Sequence, residues 1–320
     1  MIYLNLLKMT SRPINIATRG SKLALYQAHK VQEELEKRFP EKIFKVLIIK
    51  TTGDKILDIA LSKIGDKGLF TRELENSLLL FEADIAVHSL KDLPTELPAG
   101  LTLGGVLERG EVRDVLVSIH GKKLAELDET DIVATSSLRR KAQLLQYNSK
   151  LRIVDIRGNV DTRIKKMLDG YCSALVVAGA GLQRLGYQDR ITEILDSSIM
   201  VPAVGQGAIA IETRENDPET ESLIREINHF PTFVKVKAER VFLSTLEGGC
   251  QVPIGCFSES DGNNFKITGF VSNPDGSGII KDSAEGEFEN AEKTAMILAQ
   301  KFLDKGAREM IRKIRKLNSL

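Results

Sequence analysis

Five arginines fall within 25 residues of this chain: the doublet Arg139-Arg140 behind Ser136-Ser137-Leu138, then Arg152, Arg157 in Arg157-Gly158-Asn159, and Arg163. The whole 320-residue sequence nevertheless has a formal net charge of only +1. A neutral protein that gathers guanidinium groups beside Gly, Ser, Thr and Asn is suited to gripping a small molecule with several carboxylates or phosphates. Arginine offers a rigid fork of donors to an oxyanion, and small residues let backbone N–H groups reach the same oxygens. Solvated helix faces are the usual place for such charges. Here, however, they follow the apolar, β-like runs Ile132-Val133-Ala134 and Leu151-Arg152-Ile153-Val154. The turn after a strand is where ligands sit in open α/β sheets.

Four further segments carry candidate chemistry. They are Thr18-Arg19-Gly20-Ser21, the run Lys63-Ile64-Gly65-Asp66-Lys67-Gly68-Leu69-Phe70, His88-Ser89-Leu90-Lys91-Asp92, and Gly248-Gly249-Cys250. Glycines give access to a thiol, and nearby cations lower its pKa, so Cys250 is placed for nucleophilic chemistry. Taken alone it reads first as a free loop thiol. Cys172 precedes the apolar run Ala174-Leu175-Val176-Val177 and Cys256 flanks Phe257, which suits packing. Asp92, just before Leu93-Pro94, reads either as a reactive carboxylate or as a turn residue. Arg184, in Gly181-Leu182-Gln183-Arg184-Leu185-Gly186, is balanced between ligand contact and helix-end charge.

Composition narrows the class. Lys+Arg total 45 against 44 Asp+Glu, which provides no global field for nucleic acid or an anionic membrane. Trp is absent and aromatics make up 5%, too few for base-stacking platforms. No apolar run approaches the roughly 20 residues of a membrane span. The segment Met1 to Thr10 reads as a loose leader before the first strand. Three cysteines, an odd and sparse set, point to a reducing compartment, and no His/Cys grouping supports a metal.

The first two-thirds alternate β and α patterns. A strand at Ile14 to Ala17 leads through Ser21, a good N-cap, into a helix reaching Arg38 with Leu23, Tyr26, Val31 and Leu35 as its apolar stripe. Phe44 to Ile49 reads as a buried strand, Leu69 to Phe81 as a helix and Ile85 to Val87 as a strand. A second unit repeats the scheme from Ile132 to Val177, and Ala208 to Ile211 adds a strand. Such alternation predicts parallel sheets. The last ninety or so residues change character: a helix from Phe233 to Leu246, strands at Phe265 to Val271 and Gly278 to Lys281, and one long helix from Ala291 to about Ile314. The expected class is α/β, with a closing α+β module on a small antiparallel sheet.

Several long segments, in order, resemble the porphobilinogen deaminase (hydroxymethylbilane synthase) family. They are Ala83-Asp84-Ile85-Ala86-Val87-His88-Ser89-Leu90-Lys91-Asp92, Gly205-Gln206-Gly207 and Gly248-Gly249-Cys250-Gln251-Val252-Pro253-Ile254-Gly255. The resemblance runs from about Ile14 to the C-terminal helix. It implies three domains: two like type II periplasmic binding proteins (11–107 with 208–226, and 112–202) and a third, α+β, at 230–320. It implies a transferase that condenses four porphobilinogens head to tail, releasing ammonia each time, to give hydroxymethylbilane. The chain grows on a dipyrromethane cofactor attached through Cys250.

The resemblance also implies the site. Asp92 matches the catalytic carboxylate, which would stabilise the azafulvene and protonated pyrrole cations and pass protons. Ser21, Lys91, Thr135, Ser137, Arg139 and Arg140 match cofactor contacts. Arg19, Arg157, Arg163, Arg184 and Gln206 match substrate contacts, as do Lys63, Lys67 and Phe70 on a segment resembling the family's active-site lid. Departures are few: Gly65-Asp66-Lys67 replaces a common Gly-Gly-Lys, Thr71-Arg72 a common Val-Lys, and Cys256 a frequent Ser or Ala. A cytoplasmic monomer with no nucleic-acid or membrane partner is implied, an organelle such as the plastid being left open. The rival from another class is a pure anion-binding protein, which would need neither Cys250 nor Asp92.

Overall fold

A computed structural model describes residues 12–55, 68–247 and 252–318. Strand β1 (Ile14–Thr18) runs into helix α1 (Lys22–Arg38), where the Ser21 side chain accepts a hydrogen bond from the Ala24 N–H and caps the first turn. Strand β2 (Phe44–Ile48), the one-turn helix α2 (Thr52–Lys55), helix α3 (Arg72–Leu79), strand β3 (Ile85–Ser89) and strand β4 (Leu101–Val106) follow. The chain then crosses to a second sheet. That unit comprises β5 (Asp114–Ser118), β6 (Ile132–Ala134), α4 (Leu138–Tyr147), β7 (Arg152–Val154), α5 (Val160–Leu168), β8 (Ala174–Ala178), α6 (Gly179–Arg184) and β9 (Glu193–Ile194). It returns as β10 (Ile209–Arg214) and α7 (Pro218–Ile227). Helix α8 (Phe230–Thr245) leads to the strands β11 (Ile254–Asp261), β12 (Asn264–Val271) and β13 (Ile280–Glu287), with helices α9 (Ala291–Asp304) and α10 (Ala307–Asn318) last.

The two larger sheets have equivalent orders, β2-β1-β3-β10-β4 and β7-β6-β8-β5-β9, and the third is a β11-β12-β13 meander. The expected class, α/β units followed by an α+β module, is what the fold contains. The sheets are not purely parallel, however. In each, three parallel strands lie beside one antiparallel strand that enters from the other unit, β10 against β3 and β5 against β8. Strand–helix alternation cannot reveal a strand delivered by a crossover from elsewhere.

Three local expectations are corrected. Strand β2 is an edge strand rather than a buried one, pairing with β1 alone and leaving Ile48 59% exposed. The buried stripe of α1 is Ala24, Gln27, Ala28, Val31 and Leu35, with Tyr26 facing solvent. The predicted C-terminal helix is two helices, broken before Gly306, whose φ of +88° is a left-handed conformation that glycine adopts without strain. The break turns Ala307, Ile311 and Ile314 onto the same core as Leu298 and Phe302.

The two crossover segments touch back to back. Gly110 N–H donates to Gly207 O at 3.1 Å, and a side chain at Gly207 would meet the Gly110 carbonyl at 2.7 Å. Helix α8 fixes this junction through Glu239, which is fully buried. Its carboxylate accepts two hydrogen bonds from Arg109, at 2.6 and 3.0 Å, one from Gly205 N–H at 2.8 Å and one from Ser258 N–H at 2.8 Å. One side chain thereby ties both crossovers to the third domain. Glu239→Ala should leave Arg109 buried and unpaired and lower stability by about 3–5 kcal/mol. The check is the urea unfolding midpoint, and a midpoint equal to wild type would show that the junction does not depend on this carboxylate.

Candidate active site

The candidate residues converge because they stand at equivalent places in the fold. Arg19 and Ser21 follow β1, Lys91 and Asp92 follow β3, and Thr135 to Arg140 follow β6. Arg157 and Arg163 follow β7, and Arg184 ends the helix after β8. All are beyond the carboxyl ends of parallel strands, where an open α/β sheet presents its ligands. Ser137 caps α4 by accepting from Arg140 N–H, and Asn159 caps α5 by accepting from Thr162 N–H. Thr135 is buried, and its hydroxyl accepts from Ser137 N–H at 3.4 Å.

Arg139 and Arg140 are 4% and 6% exposed, so they are not solvated helix-face charges. Both are organised by Asp114, at the start of β5: Arg139 Nη1 reaches Oδ2 at 2.7 Å and Arg140 Nε reaches Oδ1 at 2.8 Å. Arg139 also donates to Val201 O, and Arg140 to Val176 O. Burial by itself would raise the Asp114 carboxyl, but the two guanidinium groups override it and hold the group far below the ordinary carboxylate range. Gln206 is fully buried, and its amide donates to Asp114 and Val112 O while accepting from Arg140 at 3.4 Å. Its side chain is committed to this frame.

Around the frame positive charge is in excess. Lys91 is half-buried, and desolvation pushes its ammonium down to about 8, with Arg140 and Arg139 adding to the effect and Asp92 and Asp114 opposing it. Arg163, whose Nε donates to Gly158 O at 2.8 Å, falls to about 10 through desolvation and then the repulsion of Arg140 and Arg157. Arg157 Nη2 is buried with no hydrogen-bond partner among the described residues. Five cations, Lys91, Arg139, Arg140, Arg157 and Arg163, thus share two carboxylates, Asp92 and Asp114. A desolvated cation excess with an orphaned donor is complementary to a polycarboxylate.

Asp92 closes the one-turn 3₁₀ helix Leu90–Asp92 and is exposed. It lines a cleft with Arg19, Ser21, Gln27, Phe70, His88 and Ser89. The Arg19 guanidinium stacks 4.1 Å above the Phe70 ring and pairs with Asp54 at 2.5 Å. Gln27 donates to Ser89 Oγ at 2.9 Å. A neighbouring hollow is lined by both Lys91 and Arg184, whose Nη2 donates to Gly207 O at 2.5 Å. Lys63, Lys67 and Cys250 lie outside the described residues. The other two thiols are poor nucleophiles: burial pushes Cys172 up to about 11 and also raises Cys256 well above the ordinary thiol range. Asp114, Asp54, Gln27 and Glu212, which pairs with the buried His88 at 2.9 Å, were not singled out by the sequence. Of these, Asp114 left a trace, an acid opening the apolar run Asp114-Val115-Leu116-Val117.

Residues 14–222 match the model of the porphobilinogen deaminase dipyrromethane cofactor binding domain, and residues 233–304 match that of the porphobilinogen deaminase C-terminal domain. The chain belongs to the porphobilinogen deaminase family. Proteins of that name from Carboxydothermus hydrogenoformans and Pelotomaculum thermopropionicum are 47% and 48% identical to it. Each match covers 95% of this chain and 98% or 97% of the relative. The enzyme of that name from Synechococcus elongatus is 46% identical over 95% of this chain and 96% of its own length. Among solved structures, the periplasmic VFT2 domain of Bordetella pertussis BvgS is 16% identical over 67% of this chain and 86% of its own, with a TM-score of 0.40. A YaeC-family lipoprotein from Enterococcus faecalis is 14% identical over 73% and 96%, with a TM-score of 0.42. Among the described residues no helix is long and apolar enough to cross a membrane.

The family's cofactor, whose pyrrole rings carry acetate and propionate groups, suits the donor set described above. The state of Lys91 gives a test. Its folded pKa of about 8 lies below the ordinary value of about 10.4. Charged Lys91 therefore weakens the unliganded fold below about pH 8, and that cost disappears as pH rises. Binding an anion has the opposite sign: it needs the ammonium and draws in a proton. Loading of apoprotein should slow as pH is raised through about 8, and Lys91→Arg should remove the dependence. The profile is read by the rate of holoprotein formation, and an identical fall in Lys91→Arg would assign it to another group.

Proposed function

We propose that this chain condenses four porphobilinogen molecules head to tail, with release of ammonia, into hydroxymethylbilane on a dipyrromethane held through Cys250. The observation that carries the reading is a solvent-reachable carboxylate, Asp92, set among desolvated cations. A pure anion binder needs the cations alone. When bound, the dipyrromethane supplies the pyrrole carbon to which substrate is joined.

The chain's own groups divide the work. Asp114, Gln206 and the carbonyls of Val201 and Val176 fix Arg139 and Arg140 but engage only part of the five N–H donors that each guanidinium carries. The remainder suit the cofactor's acetate and propionate groups, with Ser21, Thr135, Ser137 and Lys91 beside them. Arg157, Arg163 and Arg184 are suited to the carboxylates of the incoming unit. Arg19, stacked on Phe70, offers a cation and an aromatic face together. Lys63 and Lys67 are proposed as additional substrate contacts. Asp92 then does the chemistry. Loss of ammonia from porphobilinogen leaves a cation and the new bond a protonated pyrrole, and one carboxylate stabilises both and accepts the departing proton. We further infer a cytoplasmic monomer that acts on a small molecule and uses neither nucleic acid nor a membrane. The net charge of +1 and the sparse cysteines support this.

Asp92→Asn keeps the shape and removes the charge. Porphobilinogen consumption per cofactor-loaded molecule should fall by about 10² or more, with substrate binding retained by the arginines. The measurement is made on protein carrying preassembled cofactor, and near wild-type turnover there would reduce Asp92 to a turn residue.

A further inference from the structure

Directly after Asp92 the chain runs through Leu93-Pro94-Thr95, a stretch without regular structure. None of its three carbonyls accepts a backbone hydrogen bond among those described. All three instead accept from one side chain on another domain. Arg240, on α8, donates from Nη1 to Leu93 O at 3.1 Å and from Nη2 to Pro94 O at 2.6 Å and Thr95 O at 3.2 Å. The guanidinium is a desolvated cation with no carboxylate in hydrogen-bond contact among the described residues, and Glu212 on β10 is the acid whose field reaches it. Its planar fork spans successive carbonyls, which a point charge cannot do.

Arg240 is also rigidly based. The preceding residue, Glu239, ties α8 to both crossovers, so the helix is fastened directly beside the loop. Helix α8 is in addition the element from which the chain proceeds to Cys250, ten positions beyond Arg240. We propose that Arg240 is a positioning residue for Asp92: it anchors the main chain directly behind the carboxylate to α8, holding the carboxylate in one place through successive condensations. This rests on the function proposed above, in which one carboxylate serves every addition while the bound chain lengthens.

The test compares Arg240→Gln and Arg240→Lys with wild type, all carrying preassembled cofactor. Two readouts are taken: steady-state porphobilinogen turnover, and hydrogen exchange of the backbone amides around residues 90–97 in resting protein. In Arg240→Gln, kcat per loaded molecule should fall about tenfold or more, because small misplacement of a catalytic group is costly. KM should stay within about twofold, since the carboxylate-binding arginines are untouched. Amide protection around 90–97 should drop. Arg240→Lys, with its charge kept and its fork lost, should be intermediate in both and serves if the Gln variant does not fold. Wild-type kcat in either loaded variant, or a fall in kcat with unchanged amide protection, overturns the proposal. Failure of the underlying function would look different: wild type itself would not consume porphobilinogen, whatever the exchange pattern.

Discussion

A single buried carboxylate, Asp114, makes the rest of this site possible. Two adjacent arginines at 4% and 6% exposure would be untenable without a counter-charge, and a fully matched set of carboxylates would leave nothing for a ligand. Asp114 takes an intermediate course. It engages Arg139 and Arg140 at 2.7 and 2.8 Å, with Gln206 as a third partner, and leaves the surrounding cations in excess. That excess appears as a Lys91 ammonium pushed down to about 8 and as an Arg157 Nη2 buried without a partner. An anionic ligand relieves both.

The same frame links domains. Gln206 lies on the returning crossover, and its carbonyl accepts from Arg109 Nε at 2.9 Å, while Arg109 pairs with Glu239 on α8. A continuous polar chain therefore runs from the arginine pair, through both crossovers, to the third domain. Arg240, beside Glu239 on the same helix, holds the loop behind Asp92. The cations that would hold the ligand and the carboxylate that would act on it are thus referenced to one helix. A binding protein that only closes on an anion has no need of that common reference.

Much of this was legible in the sequence because it depends on local chemistry. Ser21 and Ser137 cap helices where short polar residues precede helical patterns, and the arginines follow strands where loops must reach a ligand. What was not legible depends on partners distant in the chain. Asp114 meets Arg139 and Arg140 across 25 and 26 residues, and Arg240 meets Pro94 across 146. Gln206 matches a ligand contact by resemblance, and its amide also donates to Val112 O and Asp114, partners that only packing could reveal. Strand β11 and helix α7 also went unread. β11 mixes Gly255, Cys256 and Ser258 without strict alternation, and α7 declares itself mainly through the Asp217-Pro218 cap signal.

The account stands on a covalently held acidic pyrrole unit at the centre of the cation cluster. Its most direct test is the mass of the denatured protein, purified from cells that make porphobilinogen, followed by mapping of any adduct. The account predicts an excess equal to two condensed pyrrole units, carried on the peptide that contains Cys250. The bare polypeptide mass, or an adduct on Cys172 or Cys256, would contradict it.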